Sequence, residues 1–238
     1  MDVYKINTMT TQVKGNSYVG RGIVVGKTPA GKSAIAYFIM GRSANSRNRV
    51  FTLKDGAVYT EPFDASKVED PSLIIYAAIR KYENSLIVTN GDQTDTIYDG
   101  LAAGKSFSQA LTAREFEPDA PNLTPRISGI VNFADNDFSY EMSILKSADA
   151  EGTACSRYTF SYPSLPGVGH FIHTYVGDGN PLPTFQGEPE RVAIPEDIDA
   201  LTNEIWEALD ADNKISLYVR YTDAVTGEYD ERLINKNA

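Results

Sequence analysis

The stretch YVGRGIVVGKTPAGKSAIAYFIM (residues 18–40) decides how the fold begins, because its centre has two interpretations. GKTPAGKS at residues 26–33 matches G-x-x-x-x-G-K-[ST], the pattern of loops that bind nucleotide phosphates between a strand and a helix. Only seven mostly β-branched, aromatic or apolar residues separate Ser33 from Gly41, whereas a typical helix has about 11. Residues 28–31 place Pro second and Gly fourth, which suits a type I turn. We therefore predict a β-hairpin here and no P-loop nucleotide hydrolase.

Further hairpins and helical blocks follow along the chain. Residues 73–91 favour a hairpin because Ile, Tyr and Val dominate, although Asp70-Pro71 resembles the start of a helix. Helical spacing of apolar residues and paired apolar runs predict a further set of elements. These are helices within 95–117 and 195–209, and strand pairs at 126–133 with 138–146 and at 215–221 with 228–235.

These elements define an expected fold class and domain organisation. The segment 163–190 is rich in Gly, Pro and aromatic residues, and we predict a long functional loop there. Because strands occur in hairpins and helices in separate blocks, the sequence predicts an α+β fold with antiparallel sheet. Residues 1–15 show little periodicity and are expected to be an N-terminal extension, followed by a single domain at 16–238.

Composition and charge exclude several classes of protein. The 238 residues carry a formal net charge of −10, which disfavours a nucleic-acid partner. No apolar run approaches the roughly 18 residues of a membrane span, and the N-terminus lacks the apolar centre of a signal peptide. The single cysteine, Cys155, excludes an intrachain disulfide and a cysteine metal cluster. We expect a cytoplasmic protein without a membrane partner.

Two polar stretches could bind an anion. Arg42, Arg47 and Arg49 lie close together in a Ser/Asn/Gly loop, and guanidinium groups suit phosphate or carboxylate, although a solvated turn would explain them equally well. TNGDQTD at 89–95 lies between a strand and a helix start, where backbone N–H groups could bind an anion. Helix capping by residues such as Asp92 is an equally good explanation.

The remaining candidates give weaker signals. Arg126 follows a proline at a strand start, where a lone Arg is usually a surface or structural residue. His170 and His173 would point to opposite faces of an extended segment, so no shared metal site is expected, although His173 could bind a ligand. Position 2 is Asp, and no G-x-S-x-G elbow occurs, so an N-terminal or serine nucleophile is not supported.

Taken together, four polar stretches resemble the archaeal-type inosinate (IMP) cyclohydrolase family. They are YVGRGIVVGKT (18–28), GRSANSRNRV (41–50), NGDQTDTIYDG (90–100) and TPRISG (124–129). HTYVGDGNPLPTFQGEP (173–189) resembles the family's bacterial members. The resemblance implies a four-layer αββα sandwich of mainly antiparallel sheets, similar to N-terminal-nucleophile hydrolases but without their nucleophile. It also implies ring closure of 5-formamidoimidazole-4-carboxamide ribonucleotide to IMP in purine biosynthesis, with no metal or organic cofactor.

The resemblance also implies roles for individual residues. Arg42, Tyr76 and Glu117 would be catalytic, with Tyr76 as proton donor or oxyanion stabiliser and Glu117 as proton acceptor. Glu115 is the alternative acceptor, because an extra residue precedes TPRI. Other residues would bind or position the substrate, and these are Arg49, Asn90, Asp92, Arg126 and His173. Gln93 departs from the family, whose archaeal members have His there, so this side chain cannot shuttle protons.

Other functions remain open at this point. A related cyclase or amidohydrolase could act on another purine-like ribonucleotide, and a nucleotide-binding regulatory module could keep the pocket without the chemistry. Tyr76 and Glu117 together favour an enzyme, since binding alone would not need both. The expected partner is a small ribonucleotide substrate, and we expect the chain to form a homo-oligomer.

Overall fold

The computed structural model describes residues 2, 4–68 and 75–237 and contains two antiparallel sheets with few helices. The described strands are β1 (Arg21–Lys27), β2 (Ser33–Met40), β3 (Val50–Lys54), β4 (Ala57–Glu61), β5 (Tyr76–Tyr82), β6 (Ser85–Thr89), β7 (Arg126–Ala134), β8 (Asp137–Ser147), β9 (Cys155–Pro163), β10 (Val168–His173), β11 (Glu190–Ala193), β12 (Lys214–Thr222) and β13 (Tyr229–Asn235). The described α-helices are α1 (Met9–Val13), α2 (Ala44–Arg47), α3 (Gln93–Ala102), α4 (Phe107–Leu111) and α5 (Ile198–Ala208), with a 3-10 turn at Ala65–Lys67.

The order of strands follows the hairpins of the sequence. The first sheet runs β11-β10-β1-β2-β12-β13, and the second runs β3-β4-β5-β6-β7-β8-β9. Because neighbouring strands alternate in direction, the start of β1 and the end of β10 lie at one end of the first sheet. The starts of β5 and β7 likewise share one end of the second sheet with the end of β6. Side chains from these strand ends meet at one end of the molecule.

The predicted hairpin at the phosphate-loop motif is confirmed. β1 and β2 pair in register from Arg21 opposite Ile39 to Lys27 opposite Ser33. The connecting turn is closed by a 3.1 Å hydrogen bond that the Gly31 N–H donates to the Thr28 carbonyl. A strand, and no helix, follows Ser33, so the motif lacks the helix N-terminus that a phosphate-binding loop needs.

Most of the other predicted elements are also confirmed. β5 pairs with β6 as expected for 73–91, while the alternative helix start at residues 70–71 lies outside the described residues. β7 and β8 pair across Asp135 and Asn136, whose φ angles of 52° and 60° define a turn that matches strand twist. The helical block at 95–117 is shorter than expected, since α4 ends at Leu111.

The prediction of one long loop at 163–190 is wrong. Residues 168–173 form the buried strand β10, which pairs with β1, and Glu190 begins β11. One of the glycines that suggested a loop, Gly169, instead serves close packing between strands. A Cβ on Gly26 of β1 would lie 2.5 Å from the Cα of Gly169 in β10, so glycine is required where the two backbones meet.

Three apolar clusters surround the sheets. Between the sheets, Ile23 and Ile35 pack with Val88 and Ile127. On the other face of the first sheet, a second cluster includes Leu201 of α5. α3 and α4 contribute to a third cluster against the second sheet. Among the described residues, no helix is long and apolar enough to cross a membrane.

The segment predicted as an N-terminal extension contains structure of its own. α1 begins at Met9 and ends at Val13, and both of these side chains are buried in the cluster that includes α5. Asn7 also forms a β-bridge with Val192 of β11. The division of the chain at residues 15 and 16 stays a prediction.

Candidate active site

A polar cavity of about 470 Å³ lies at the end of the molecule where these strand ends meet. This volume is in the range of small-ligand sites, which is about 300–1,000 Å³. Its walls come from Arg21 of β1, from residues of α2 and from loops beside the two sheets. The lining residues are Tyr18, Arg21, Arg42, Ser43, Asn45, Ser46, Arg49, Glu117, Asp119, Asn122, Thr124, Tyr175 and Leu182.

Two buried arginines give the cavity its positive character. Arg21 begins β1 and Arg49 precedes β3, and the two residues are only 8% and 6% exposed. The Nε atoms of both are buried and have no hydrogen-bond partner among the residues that the structure describes. Burial and the nearby charge of Arg21 lower the pKa of Arg49. A buried cation with free donors is costly unless an anion binds it, so this pair fits a phosphate or carboxylate ligand.

The other arginines of the predicted loop differ in their contacts. Arg42 lines the cavity, where its guanidinium forms an ion pair with Asp178 and donates a 2.9 Å hydrogen bond to the Gly179 carbonyl. Arg47 instead donates to the Gly41 carbonyl and to Asn213. The structure therefore brings Arg42 and Arg49 to one cavity and leaves Arg47 outside it.

Tyr76 forms a phenol pair with Tyr37. The two hydroxyl oxygens are 2.9 Å apart, and Tyr76 is buried at the start of β5. Tyr76 is not among the lining residues, but it lies close enough to Arg21 and Arg49 to interact electrostatically with both. This hydrogen bond links β2 of the first sheet to β5 of the second sheet.

Glu117 is the buried carboxyl group of the cavity. Its side chain follows α4 in a loop whose backbone is held by a 2.9 Å hydrogen bond from the Glu117 N–H to the Thr124 carbonyl. Burial raises the pKa of Glu117, and Asp119 adds to this rise while Arg21 and Arg126 oppose it. Glu115 is exposed and lies 3.6 Å from Arg157, so the geometry favours Glu117 as the group that reaches the cavity.

Asn90, Asp92, Gln93 and Arg126 form a network beside Glu117 and do not line the cavity. Arg126 donates to Asp92 at 2.7 Å and to Gln93 at 2.8 Å. Asp92 occupies the N-cap position of α3 but makes no side-chain cap, so its carboxylate serves the arginine instead. Burial would raise the pKa of Asp92, but hydrogen bonding to Arg114 and the charge of Arg126 lower it overall.

Gly91 holds this network against the catalytic candidate. A Cβ at Gly91 would lie 2.7 Å from Nη1 of Arg126 and 3.5 Å from Oε1 of Glu117. Glycine therefore lets the backbone between Asn90 and Asp92 pack closely against these side chains, which a larger residue would push aside.

The histidines lie away from the cavity. Nδ1 of His173 is 2.7 Å from the Tyr175 carbonyl, and its ring stacks on Phe171. His170 is buried on the other face of β10, where its ring stacks on Tyr162, and burial and Arg191 lower its pKa to about 4. The structure does not bring His173 into contact with the other predicted site residues.

Sequence reasoning missed several residues of the site. Arg21, Tyr37 and Tyr175 were not singled out, although all three are buried at or beside the cavity. Arg21 had a usable signal, because a charged residue at the head of the apolar run RGIVVG is unusual in a buried strand. Tyr37 gave no such signal, since a tyrosine in an apolar strand normally indicates a core position.

Fold and site together define an α+β protein with a polar cavity that is lined by buried arginines and a buried carboxyl group. A family model described as IMP cyclohydrolase-like protein matches residues 18–228. The chain therefore belongs to the IMP cyclohydrolase-like family.

Archaeal relatives support this assignment. The chain is 34% identical over 119 residues to an IMP cyclohydrolase of Methanopyrus kandleri, covering 48% of this chain and 59% of the relative. It is 33% identical over 141 residues to that of Methanococcus aeolicus, covering 54% and 69%. For Methanocaldococcus jannaschii the identity is 33% over 117 residues, covering 48% and 57%. The matches thus span between 57% and 69% of the length of these relatives.

Proposed function

We propose that this protein is an IMP cyclohydrolase, which closes 5-formamidoimidazole-4-carboxamide ribonucleotide to IMP with loss of water. The family and its archaeal relatives named IMP cyclohydrolase support this activity. The single observation that carries it is one cavity lined by a buried carboxyl group and two buried arginines, whose Nε atoms have no described partner and which interact electrostatically with the nearby phenol of Tyr76. An anionic ligand with a reactive polar end fits such a site.

The reaction needs one proton acceptor and one proton donor. The carboxamide nitrogen attacks the formyl carbon and gives one proton to an acceptor, while the formyl oxygen takes up a proton, which gives a tetrahedral carbinolamine. The hydroxyl of this intermediate then takes up a second proton and departs as water, while the former formamido nitrogen gives up its N–H proton to form the C=N bond that completes the ring. Because both reacting groups belong to one molecule, holding them in contact supplies much of the acceleration.

The described residues suit these two roles. Glu117 would accept the amide proton, and its raised pKa makes it a stronger base than an exposed carboxylate. Tyr76 would donate to the departing oxygen. Arg21 and Arg49 interact with both Glu117 and Tyr76, so the reacting end of the substrate would lie between the two guanidinium groups. These cations would also stabilise negative charge on the oxygen.

The remaining predicted residues would bind the substrate or hold in place the residues that contact it. Arg42 lies toward the exposed side of the cavity and would bind the phosphate, exchanging its ion pair with Asp178 for the ligand. Asn90, Asp92 and Arg126 would keep Glu117 in place through the network at Gly91. His173 would support the wall near Tyr175 through its hydrogen bond to that backbone.

The wider architecture and setting are part of the same proposal. The three apolar clusters support a four-layer αββα sandwich like that of N-terminal-nucleophile hydrolases. We also expect a homo-oligomer, and we expect it in the cytoplasm, which the single cysteine favours.

Purified protein should convert the formylated ribonucleotide to IMP in buffer without added metal. The rise in purine absorbance measures the rate of this conversion. We expect Tyr76→Phe, Glu117→Gln and Arg42→Ala each to lower kcat/KM by about 100-fold or more, because each removes a proton-transfer group or a charge that contacts the substrate. Circular dichroism checks that the variants remain folded.

Arg47→Ala is the matched control, because Arg47 belongs to the same loop but bonds to Gly41 and Asn213. It should keep near-normal turnover. Tight IMP binding by calorimetry without any turnover in the wild type would instead identify a nucleotide-binding module. Normal rates in the Tyr76 and Arg42 variants would show that the reaction occurs elsewhere.

A further inference from the structure

Tyr37 connects the centre of the first sheet to the candidate proton donor. It lies on β2 and is 0% exposed, while Tyr76 lies on β5 of the second sheet. The ring of Tyr37 is fixed by stacking on Phe51, with ring centroids 5.3 Å apart. Among the described residues, the hydrogen bond of 2.9 Å to Tyr76 is the one made by the Tyr37 hydroxyl. A buried hydroxyl held by one contact has little freedom to turn.

Tyr37 is the more deeply buried phenol of this pair, at 0% against 5% exposed, and its hydroxyl has no other described partner. Arg21 and Arg49 are the cations that act on Tyr37, and a guanidinium group has donors but no acceptor. The oxygen of Tyr76 is therefore the acceptor that the Tyr37 proton can reach. Burial raises the pKa of Tyr37 well above that of a free phenol, and Tyr76 adds to this rise, so Tyr37 keeps its proton at neutral pH.

We propose that Tyr37 is a positioning residue, which donates its hydroxyl proton to the Tyr76 oxygen and thereby directs the proton of Tyr76 toward the departing oxygen of the substrate. This inference rests on the proposed function. The Tyr76 oxygen accepts from Tyr37 on one side, so its own O–H points away from the first sheet's core. As Tyr76 transfers that proton, the bond from Tyr37 stabilises the phenolate left behind.

Proton balance across the step is complete. The carbinolamine oxygen gains the proton of Tyr76, the carbon–oxygen bond breaks, and water leaves. Glu117 first passes the amide proton to the formyl oxygen through solvent. It then accepts the proton that the former formamido nitrogen loses as the C=N bond forms, and returns it to Tyr76 through solvent before the next turnover. Tyr37 keeps its own proton throughout, which is why it positions the donor and does not itself act on the substrate.

Tyr37→Phe tests this role, because it removes the hydroxyl and retains the ring that stacks on Phe51. We expect kcat per folded molecule to fall about 10- to 100-fold, a part of the contribution of a general acid, with KM changed less than about threefold. The alkaline limb of the kcat/KM profile should move to higher pH, since a phenolate that loses a donated hydrogen bond is less stable.

Tyr140→Phe is the matched control. Tyr140 is also buried between the sheets, and its hydroxyl bonds to Nδ1 of His170 at 2.6 Å, away from the cavity. Its loss should lower the melting temperature to a similar degree but leave kcat and the pH profile unchanged. A purely structural role of Tyr37 predicts the same behaviour for both variants.

The double variant Tyr37→Phe/Tyr76→Phe shows whether Tyr37 acts through Tyr76. We expect it to be no slower than Tyr76→Phe alone, because the positioned group is already absent. Multiplying losses would overturn the proposal, as would an unchanged rate and pH profile in Tyr37→Phe. Absence of turnover in the wild type would reject the proposed function itself, whereas normal wild-type turnover with an unaffected Tyr37→Phe rejects this inference alone.

Discussion

Arg21 and Arg49 place two cations inside a protein whose formal net charge is −10. Both side chains are buried with an Nε that no described group accepts from, an arrangement that costs stability in the free protein. Such a cost is expected where a ligand supplies the missing anion. At the scale of single residues, the site is therefore prepared for its ligand before the ligand arrives.

Glu117→Gln provides a test of the buried carboxyl group by stability. Because burial raises the Glu117 pKa, its charged form is less stable in the folded protein than in the unfolded chain. The penalty is absent below the unfolded pKa of about 4.3, grows as pH rises through the folded pKa, and is constant above it. We expect Glu117→Gln to be at least as stable as wild type at pH 7.5, with the difference disappearing near pH 4.

Urea unfolding at the two pH values measures this difference. Glu115→Gln is the control, because Glu115 is exposed beside Arg157 and its replacement should leave the pH dependence unchanged. A Glu117→Gln protein that is clearly less stable at pH 7.5 would show that attraction to Arg21 and Arg126 exceeds the burial penalty.

Residue types alone predicted part of this site. The density of arginine in a polar loop drew attention to Arg42 and Arg49, and the family resemblance added Tyr76 and Glu117. Residue type alone could not separate Arg47 from Arg42 and Arg49, because the positions around α2 decide which guanidinium faces the cavity. The direction in which each guanidinium group points depends on the short helix at 44–47. A helix of this length is only weakly specified by its local sequence.

At the scale of elements, the phosphate-loop motif shows how one pattern can serve two structures. Its first glycine, Gly26, lies in β1, and its final serine, Ser33, begins β2. Lys32, the motif's lysine, lies 3.2 Å from Asp230 of β13. The sequence alone favours the β-hairpin over the phosphate-binding loop, since the apolar run after Ser33 is too short for a helix.

Gly26→Ala should destabilise the fold by about 2 kcal/mol or more, because the new methyl group would meet the backbone of β10. The added Cβ would lie 2.5 Å from the Gly169 Cα and 2.7 Å from the Val168 carbonyl oxygen. Thermal or urea unfolding measures the loss. Gly177→Ala is the control, since its nearest neighbour would be at 3.5 Å, an ordinary contact. A stable Gly26→Ala protein that loses nucleotide affinity would favour the phosphate-loop interpretation.

The error at 163–190 also belongs to this scale. Gly and Pro are normally signals of turns, and the stretch 163–190 contains many of them. Gly169 instead permits a close approach between β10 and β1, which is a tertiary requirement. Local composition cannot distinguish a glycine that bends the chain from one that admits a neighbouring strand.

For the whole molecule, the α+β class and the antiparallel pairing could be predicted because most partners are adjacent in sequence. The hairpins β1–β2, β5–β6, β7–β8 and β12–β13 are local. The pairing of β12 with β2 joins distant parts of the chain, and nothing in the local pattern indicates it. The site inherits this difficulty, since its walls come from strands far apart in sequence.

IMP should stabilise the entire protein, because a ligand that binds only the folded state adds about 2.7 kcal/mol at 100 times its dissociation constant. We expect IMP to raise the melting temperature of the wild type and of Arg47→Met. Arg49→Met should show little or no shift, while remaining at least as stable as wild type without ligand, because its buried charge is gone. ATP should have less effect than IMP, and a larger shift with ATP would contradict the proposed substrate class.

The hydroxyl groups of Tyr37 and Tyr76 meet across the two sheets, 2.9 Å apart. Neither sheet can form this contact alone, so the proposed reactive geometry requires the two sheets to pack against each other. During refolding, far-ultraviolet circular dichroism would follow strand formation within each sheet. The return of turnover would follow the packing of the two sheets against each other. Recovery of turnover would therefore report on the packing of the two sheets during refolding.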